Sequence, residues 1–326
     1  TLRTMLQMDK EKFTVPRSVQ QTIPIRRIWP DGVFQVGNKF SMSWAFSDIN
    51  YEVASQAAKQ SMFRAFGELI NSLDVGAATK ITVNNHRVNA ERFRRDSLIP
   101  LKGDALDGYR QEYNDMLVER ATSGSRMLRD RYITVSVHKK NVEEARLTLQ
   151  RIGAGLERNL SALGSVCEAM DMEERLRVLH DFFRAGNEVG RKGHHFADFI
   201  CPESMEQHAD HLMLGGKYAR VLYLQSYPAY MRDDIIRELM ELPRNMMLSI
   251  DYIPVPTDEA VRTVENKLLG VETNITNWQR KQNQNNNFSA AIPYDLNQQR
   301  QEANEFLDDL TTRDQRMLHM VLTLVH

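Results

Sequence analysis

Cysteine is nearly absent: Cys167 and Cys201 are the only two in 326 residues. That excludes a disulfide framework and suits a reducing compartment. Long apolar runs are missing too. None approaches the roughly 18 residues that a membrane-crossing helix takes, and no secretory leader pattern is present. Charge shows no excess of either sign, with 42 Lys and Arg against 43 Asp and Glu. A global attraction to nucleic acid or to an anionic surface is therefore not expected. The phosphate-loop string Gly-x-x-x-x-Gly-Lys-[Ser/Thr] does not occur. Its nearest approximations, Leu214-Gly215-Gly216-Lys217-Tyr218 and Val189-Gly190-Arg191-Lys192-Gly193, lack the spacing and the hydroxyl that holds magnesium. Gly-x-Ser-x-Gly, His-Glu-x-x-His and Cys-x-x-Cys are lacking as well, so the sequence offers no common hydrolase or zinc signature.

What is present is ordinary in amount, 42 % hydrophobic and 26 % charged residues, and distinctive in pattern. The stretch from Met246 to Phe288 organises the chain. Met246–Ile253 is apolar and β-prone and ends at Pro254 and Pro256, which cannot continue a ladder. Thr257 can cap a following helix, with Asp258 and Glu259 in its first turn facing the positive end of the helix dipole. Val261, Val264, Leu268, Val271, Ile275 and Trp278 then recur at spacings of three and four, the seam of a coiled coil. A second helix begins after Pro293 and carries Leu296, Ala303, Phe306, Leu307 and Leu310 on one face. Between the two lies the Asn-rich run Gln282–Phe288, a poor helix former. Residues 257 to 312 therefore read as an antiparallel helical hairpin with a polar tip.

The remaining elements follow from periodicity and turn chemistry. Strands are expected at Ile23–Trp29, Val33–Val36 and Phe40–Phe46, the last with Phe40, Met42, Trp44 and Phe46 on one face. Asp48 or Asn50 caps a helix to Leu73, and strand Thr79–Val83 follows Gly76. A basic segment, Arg87 to Arg95, leads through a turn-rich connector to a charged helix at Tyr109–Ala121. Strand Tyr132–His138, a helix capped by Asn141 and stopped by Gly164, and strand Val166–Met170 come next, then a helix over 171–184. Residues 186 to 215 read as loop. Strand Tyr218–Leu224, helix Arg232–Leu242, the hairpin and a last strand over Met317–Val325 close the chain.

This order predicts an α+β protein of two ferredoxin-like, split β-α-β halves, with the helical hairpin inserted in the second. The expected division is a lead-in over 1–22, a first α+β domain over 23–185, a loop-rich connector over 186–216 and a second half over 217–326. Strands Arg131–His138 and Met320–His326 both end in histidine, which suggests an internal repeat. A closing helix and strand of the second copy would then lie past residue 326. The apolar finish at Met317–Val325 likewise reads as a fragment of something longer.

Two constellations carry possible chemistry. His194, His195, Cys201, His208 and His211 are zinc-ligand types, but their spacing matches no standard site and the plainer reading is a polar loop. Arg87, Arg92, Arg94 and Arg95, and Arg126, Arg129 and Arg131, could touch phosphates or lipid head groups. A solvated face is the plainer reading there too.

Several strings together resemble a known family. They are Leu248-Ser249-Ile250-Asp251, the run from Val255 to Val261, Val271 to Arg280, and Phe306 to Arg316. They are similar to the N-terminal region of the conjugative-transfer ATPases that energise type IV secretion, the CagE/TrbE/VirB type. The likeness is closest to the branch carried by integrative conjugative elements of Gram-positive bacteria, which Trp29-Pro30-Asp31-Gly32 and Gly103–Asp107 also fit. Only Gly186 to Gly193 looks shorter than in relatives. The resemblance implies a non-catalytic docking and assembly region, cytoplasmic and peripheral at the inner face of the membrane. Its partners would be membrane and channel subunits, its own C-terminal motor and further copies of itself. ATP and magnesium are expected only in that motor, and no cofactor or metal in these residues. Trp278, Arg280, Asn285, Asn286, Asn287 and Phe288 are the expected partner contacts. The alternative is a module that handles the transferred single strand of DNA, with Arg87, Arg92, Arg94 and Arg95 on its phosphates.

Overall fold

The computed structural model describes residues 16–49, 51, 53–87, 98–122, 127–184, 195–228, 234–285, 287 and 291–326. The described chain is mixed α+β, with eight α-helices and a large antiparallel sheet. Strands β1 (Ile25–Ile28), β2 (Phe34–Val36) and β3 (Lys39–Phe46) form a meander. Helix α1 (Gln56–Asn71) leads to β4 (Ala77–Arg87), and α2 (Asp107–Thr122) lies between β4 and β5 (Met127–His138). Helix α3 (Val142–Ala162), β6 (Cys167–Ala169), α4 (Met172–Arg184) and the short α5 (Phe196–Ile200) follow. Strands β7 (Met205–Gln207), β8 (Leu212–Leu214) and β9 (Lys217–Ala219) make a small sheet of their own. The rest is β10 (Val221–Tyr223), α6 (Asp234–Glu241), β11 (Met246–Pro254), α7 (Thr257–Gln284), α8 (Tyr294–Thr311) and β12 (Leu318–Val325).

The large sheet runs β1-β2-β3-β5-β4-β11-β12-β10, every pair antiparallel, and β6 joins the free length of β3 beyond β2. Alternation along the strands decides what lies on each face. Phe40, Met42 and Trp44 of β3 and Ile133, Val135 and Val137 of β5 point to one side, where Leu69 of α1 and Ala145, Leu149, Leu156 and Leu160 of α3 close over them. The opposite side of β3 carries Ser41 and meets α4. There Phe34, Leu176 and Ile200 form a second, smaller cluster.

The join between β4 and β11 unites the sheet. Its register runs from Met246 opposite Asn85 to Tyr252 opposite Thr79. Ile81 and Tyr252, on either side of this seam, both pack on the main core. On the other face Lys80 pairs with Asp251 at 3.4 Å. Asn85, fully buried, donates to the carbonyls of Met240, Leu242 and Arg244 and so holds the end of α6 against β4.

Several expectations are corrected. The helix after β3 is capped by Ser55, whose Oγ accepts the N–H of Ala58, because Asp48 is taken by Arg131 at 2.6 Å. Strands β4 and β5 extend well past Thr79–Val83 and Tyr132–His138, pairing out to Arg87 opposite Met127. That extension runs through Asn84, Asn85, His86, Arg129 and Asp130, polar residues that hide the period of two. The stretch read as loop over 186–215 contains α5, β7 and β8 in its described part. The expected strand Tyr218–Leu224 is two strands, divided at Arg220, that serve different sheets. Helix α7 has Pro256 at its N-cap and no side-chain cap, so Thr257 is its first residue rather than its cap. Phe306 is exposed instead of facing α7.

Gly153 of α3 lies against the indole of Trp44, and a methyl group there would overlap the ring. Trp44 is itself fully buried and has nowhere to shift. Gly153→Ala should therefore cost about 1–3 kcal/mol in a urea titration, whereas the same change at Gly155, which faces open space, should stabilise slightly.

Candidate functional site

Helices α7 and α8 form the most prominent feature. At 1.5 Å per residue the 28 residues of α7 extend about 42 Å. The start of α7 packs against the end of α8: Val255, Ala260, Val264 and Leu310 are buried together, with Val261, Leu307 and Met317 around them. Farther out, Val271 and Ile275 of α7 and Ala303 of α8 remain buried, so the seam read from the sequence is the face that α8 covers. Without α8 this apolar stripe would face water and the helix would have little reason to persist.

The base of this pair is fixed. The N–H of Val255 donates to the carbonyl of Met317 at 2.9 Å. Arg316 donates to the carbonyl of Leu73 at 2.6 Å, and Asn71 to Gln315 at 2.9 Å. These bonds tie the arm to the end of α1, across the seam from its own strands. Asp314 turns the chain here with a φ of +52°, a backbone region that Asp tolerates better than most residues.

At the far end α7 closes with the N–H of Asn285 on the carbonyls of Lys281 and Gln282, and the N–H and amide of Asn287 both bond Gln282. Of the six residues expected to contact a partner, Arg280, Asn285 and Asn287 are exposed around this tip. Trp278 is half-buried on the seam, so it packs the arm and shows only part of its ring outward. Asn286 and Phe288 lie outside the described residues. The tip's described residues present amide donors and acceptors and one guanidinium, groups that form hydrogen bonds.

The basic segment is described only at its first residue. Arg87 is exposed at the end of β4, its N–H held by Asn245 at 3.2 Å. Arg92, Arg94, Arg95 and Arg126 lie outside the described residues. The histidine and cysteine group does not converge among the described residues. His195 caps α5, Cys201 is buried behind it, and His208 stacks on His211, which bonds Asp210. His194 is outside the described residues.

Two polar devices carry no sequence motif. Arg175 of α4 donates to the carbonyls of Gly32 and Ser41 at 2.6 and 2.7 Å and stacks 4.0 Å over Phe34. Burial, with no carboxylate partner among the described residues, pulls its pKa down to about 9. It anchors α4 to the sheet. His86, next to Arg87, bonds Asp130 across the β4–β5 ladder at 2.8 Å. That bond raises the pKa of His86, against an opposing effect of burial, and Asp181 of α4 adds to the rise. The signal was a diagonal pair on one face of the ladder, with His86 opposite Leu128 and Asp130 two residues farther along, visible only once the strands were known to extend that far.

No family model matches the chain, and the curated proteins hold no significant match to it.

The His86 pair makes stability depend on pH in a defined sense. Its folded pKa lies above the ordinary value of about 6.5, so its contribution is complete below that value and disappears as pH rises through the folded pKa. The urea midpoint should fall as pH rises from below the ordinary value through the raised folded pKa of His86, and His86→Gln should flatten that fall. An unchanged slope in the variant would remove His86 as its source.

Proposed function

We propose that this chain is a docking and assembly region of a conjugative DNA-transfer ATPase, the N-terminal part of a type IV secretion motor. In this reading it works by being held against other subunits at the inner face of the membrane, and ATP and magnesium belong to a separate motor. The observation that carries it is the arm: two paired helices, anchored at the base by Arg316 and Gln315 and ending in an exposed amide-rich tip. A rigid projection with a polar end suits specific contact with another protein better than it suits chemistry. The resemblance of Val271–Arg280 and Phe306–Arg316 to that family falls on these same helices.

We read the architecture as two ferredoxin-like halves with α7 and α8 as an antiparallel helical hairpin inserted in the second. The strand order β6-β3-β5-β4, all antiparallel, supports the first half, and β10-β12-β11 supports three strands of the second. The outer edge of β10, unpaired among the described strands, is a second contact surface.

Replacing residues 282–290 by a Gly/Ser linker of equal length, in the full-length protein, tests the tip while leaving both helices joined. Transfer and recovery of the assembled complex should fall at least about tenfold. Unchanged transfer and assembly would contradict the tip as a contact. The exposed Arg87, heading a basic stretch, keeps the single-strand reading in play. Titration with single-stranded DNA should then show weak binding with a shallow salt slope, whereas tight binding lost steeply with salt, and abolished by Arg92→Ala with Arg94→Ala, would favour that reading.

A further inference from the structure

The outward face of α1 is not the plain solvated face of a surface helix. Its inner side is ordinary: Leu69 is buried, and Met62, Ala65 and Ile70 pack on the main core. On the other side Gln56, Lys59, Gln60, Phe63 and Arg64 follow one another at i, i+3, i+4, i+7 and i+8, so they share one stripe. Phe63 stands on that stripe at 74 % exposure. A second ring comes from outside the helix. The chain turns at Tyr51, whose N–H donates to the carbonyl of Ile49 and whose carbonyl accepts the N–H of Ala54. That turn, followed by the Ser55 cap, brings Tyr51 to the start of α1, with the Lys59 ammonium 5.3 Å from its ring centroid. Tyr51, Gln56, Lys59, Gln60, Phe63 and Arg64 together line an open cleft of about 250 Å³.

The lining selects a class of ligand. Among the described residues it holds two cations and no carboxylate, and neither Lys59 nor Arg64 forms an ion pair with a described residue. Such a cleft attracts an anion. The exposed Phe63 ring offers a face on which a flat ring can stack. Gln56 and Gln60 add carboxamides, each both donor and acceptor, within the same cleft. No aliphatic side chain is present among the described lining residues. A helix that lies on a lipid surface would instead offer a broad apolar side to the acyl chains. An acidic stretch of protein would answer the two cations and leave the ring and the carboxamides without a specific partner.

We propose that this cleft binds one nucleotide unit, its base stacked on Phe63 and its phosphate held by Lys59 and Arg64. Gln56 and Gln60 hydrogen-bond to the edge that the base presents. Stacking supplies the main hold on the base, so the site takes more than one kind of base. A free nucleotide and one residue of a single strand share this chemistry. The site lies on α1, away from the tip of the arm and from the Arg87 segment. It therefore stands apart from the docking function, and its residues are not those considered above for the single-strand reading.

Calorimetric titration of the 326-residue chain with adenosine monophosphate, with a single-stranded deoxythymidine decamer and with inorganic phosphate tests this. Nucleotide should bind saturably, and phosphate alone at least about tenfold more weakly. Phe63→Ala should weaken nucleotide binding about tenfold. Lys59→Gln with Arg64→Gln should weaken it as much, and should reduce the log–log salt slope of decamer binding by about 1.4. Phe63 is exposed, so the urea midpoint of Phe63→Ala should match that of the parent chain. A decamer that binds more tightly than the mononucleotide makes a single strand the ligand, and equal affinities make it a free nucleotide. Absence of saturable nucleotide binding would overturn the proposal, as would full binding by both variants or phosphate binding as tightly as the mononucleotide. Binding to phosphatidylglycerol vesicles, without nucleotide binding and lost in both variants, would overturn it too and make a lipid surface the occupant. None of these readouts involves the arm, so failure here would leave the docking function standing, and loss of the docking function would leave this result intact.

Discussion

The backbone ladder between β4 and β11 is what the rest of the molecule depends on. It is the only pairing among the described strands that crosses between the first run of elements and the last. Tyr252 reaches the main core because β11 is held in that register, and Asn85 reaches the end of α6 for the same reason. A slip by one residue would turn Leu248, Ile250 and Tyr252 to the face of Lys80 and Asp251, and present their polar neighbours to the core. The seam also carries its own ion pair. Burial holds the Asp251 carboxyl above its ordinary range in spite of Lys80, so this pair specifies register more than it adds stability.

The arm depends on the seam in turn. Helices α7 and α8 leave from β11 and return into β12, and their base is bonded to residues 71 and 73 at the end of α1. Two independent supports, one through the sheet and one through α1, fix the direction of a long lever. An arm held this way would lose little freedom if a partner took its tip, as the proposed docking role requires. The same logic explains the burial of Arg175 with no carboxylate beside it among the described residues. Its fork satisfies two carbonyls and an aromatic face at once, and so fixes α4 on the side of the sheet away from α1.

Where apolar periodicity was strong, the sequence was readable. The seam residues Val264, Val271 and Ile275, the alternation of β3, and the capping of α3 by Asn141 are all present as expected. Where polar side chains are buried or paired across strands, periodicity carries no information. That is why the outer lengths of β4 and β5, the His86–Asp130 bond and the Arg175 anchor escaped a linear reading. Short strands fail for another reason. Three residues, as in β7 to β10, hold too few alternations to register. Of the candidate site, the arm was legible as helices, and the exposure of Arg280, Asn285 and Asn287 follows from their place at its end. The partial burial of Trp278 follows from its position on the seam.

Cysteine pairs across the seam test the central claim most directly. With Cys167 and Cys201 replaced by serine, Lys80→Cys with Asp251→Cys places two thiols on directly opposed residues of one face. Mild oxidation should then close an intramolecular disulfide rapidly and in high yield. Lys80→Cys with Ile250→Cys, one residue out of register and on opposite faces, should stay reduced. Comparable cross-linking of both pairs, or of the second alone, would contradict the seam and with it the placement of the arm.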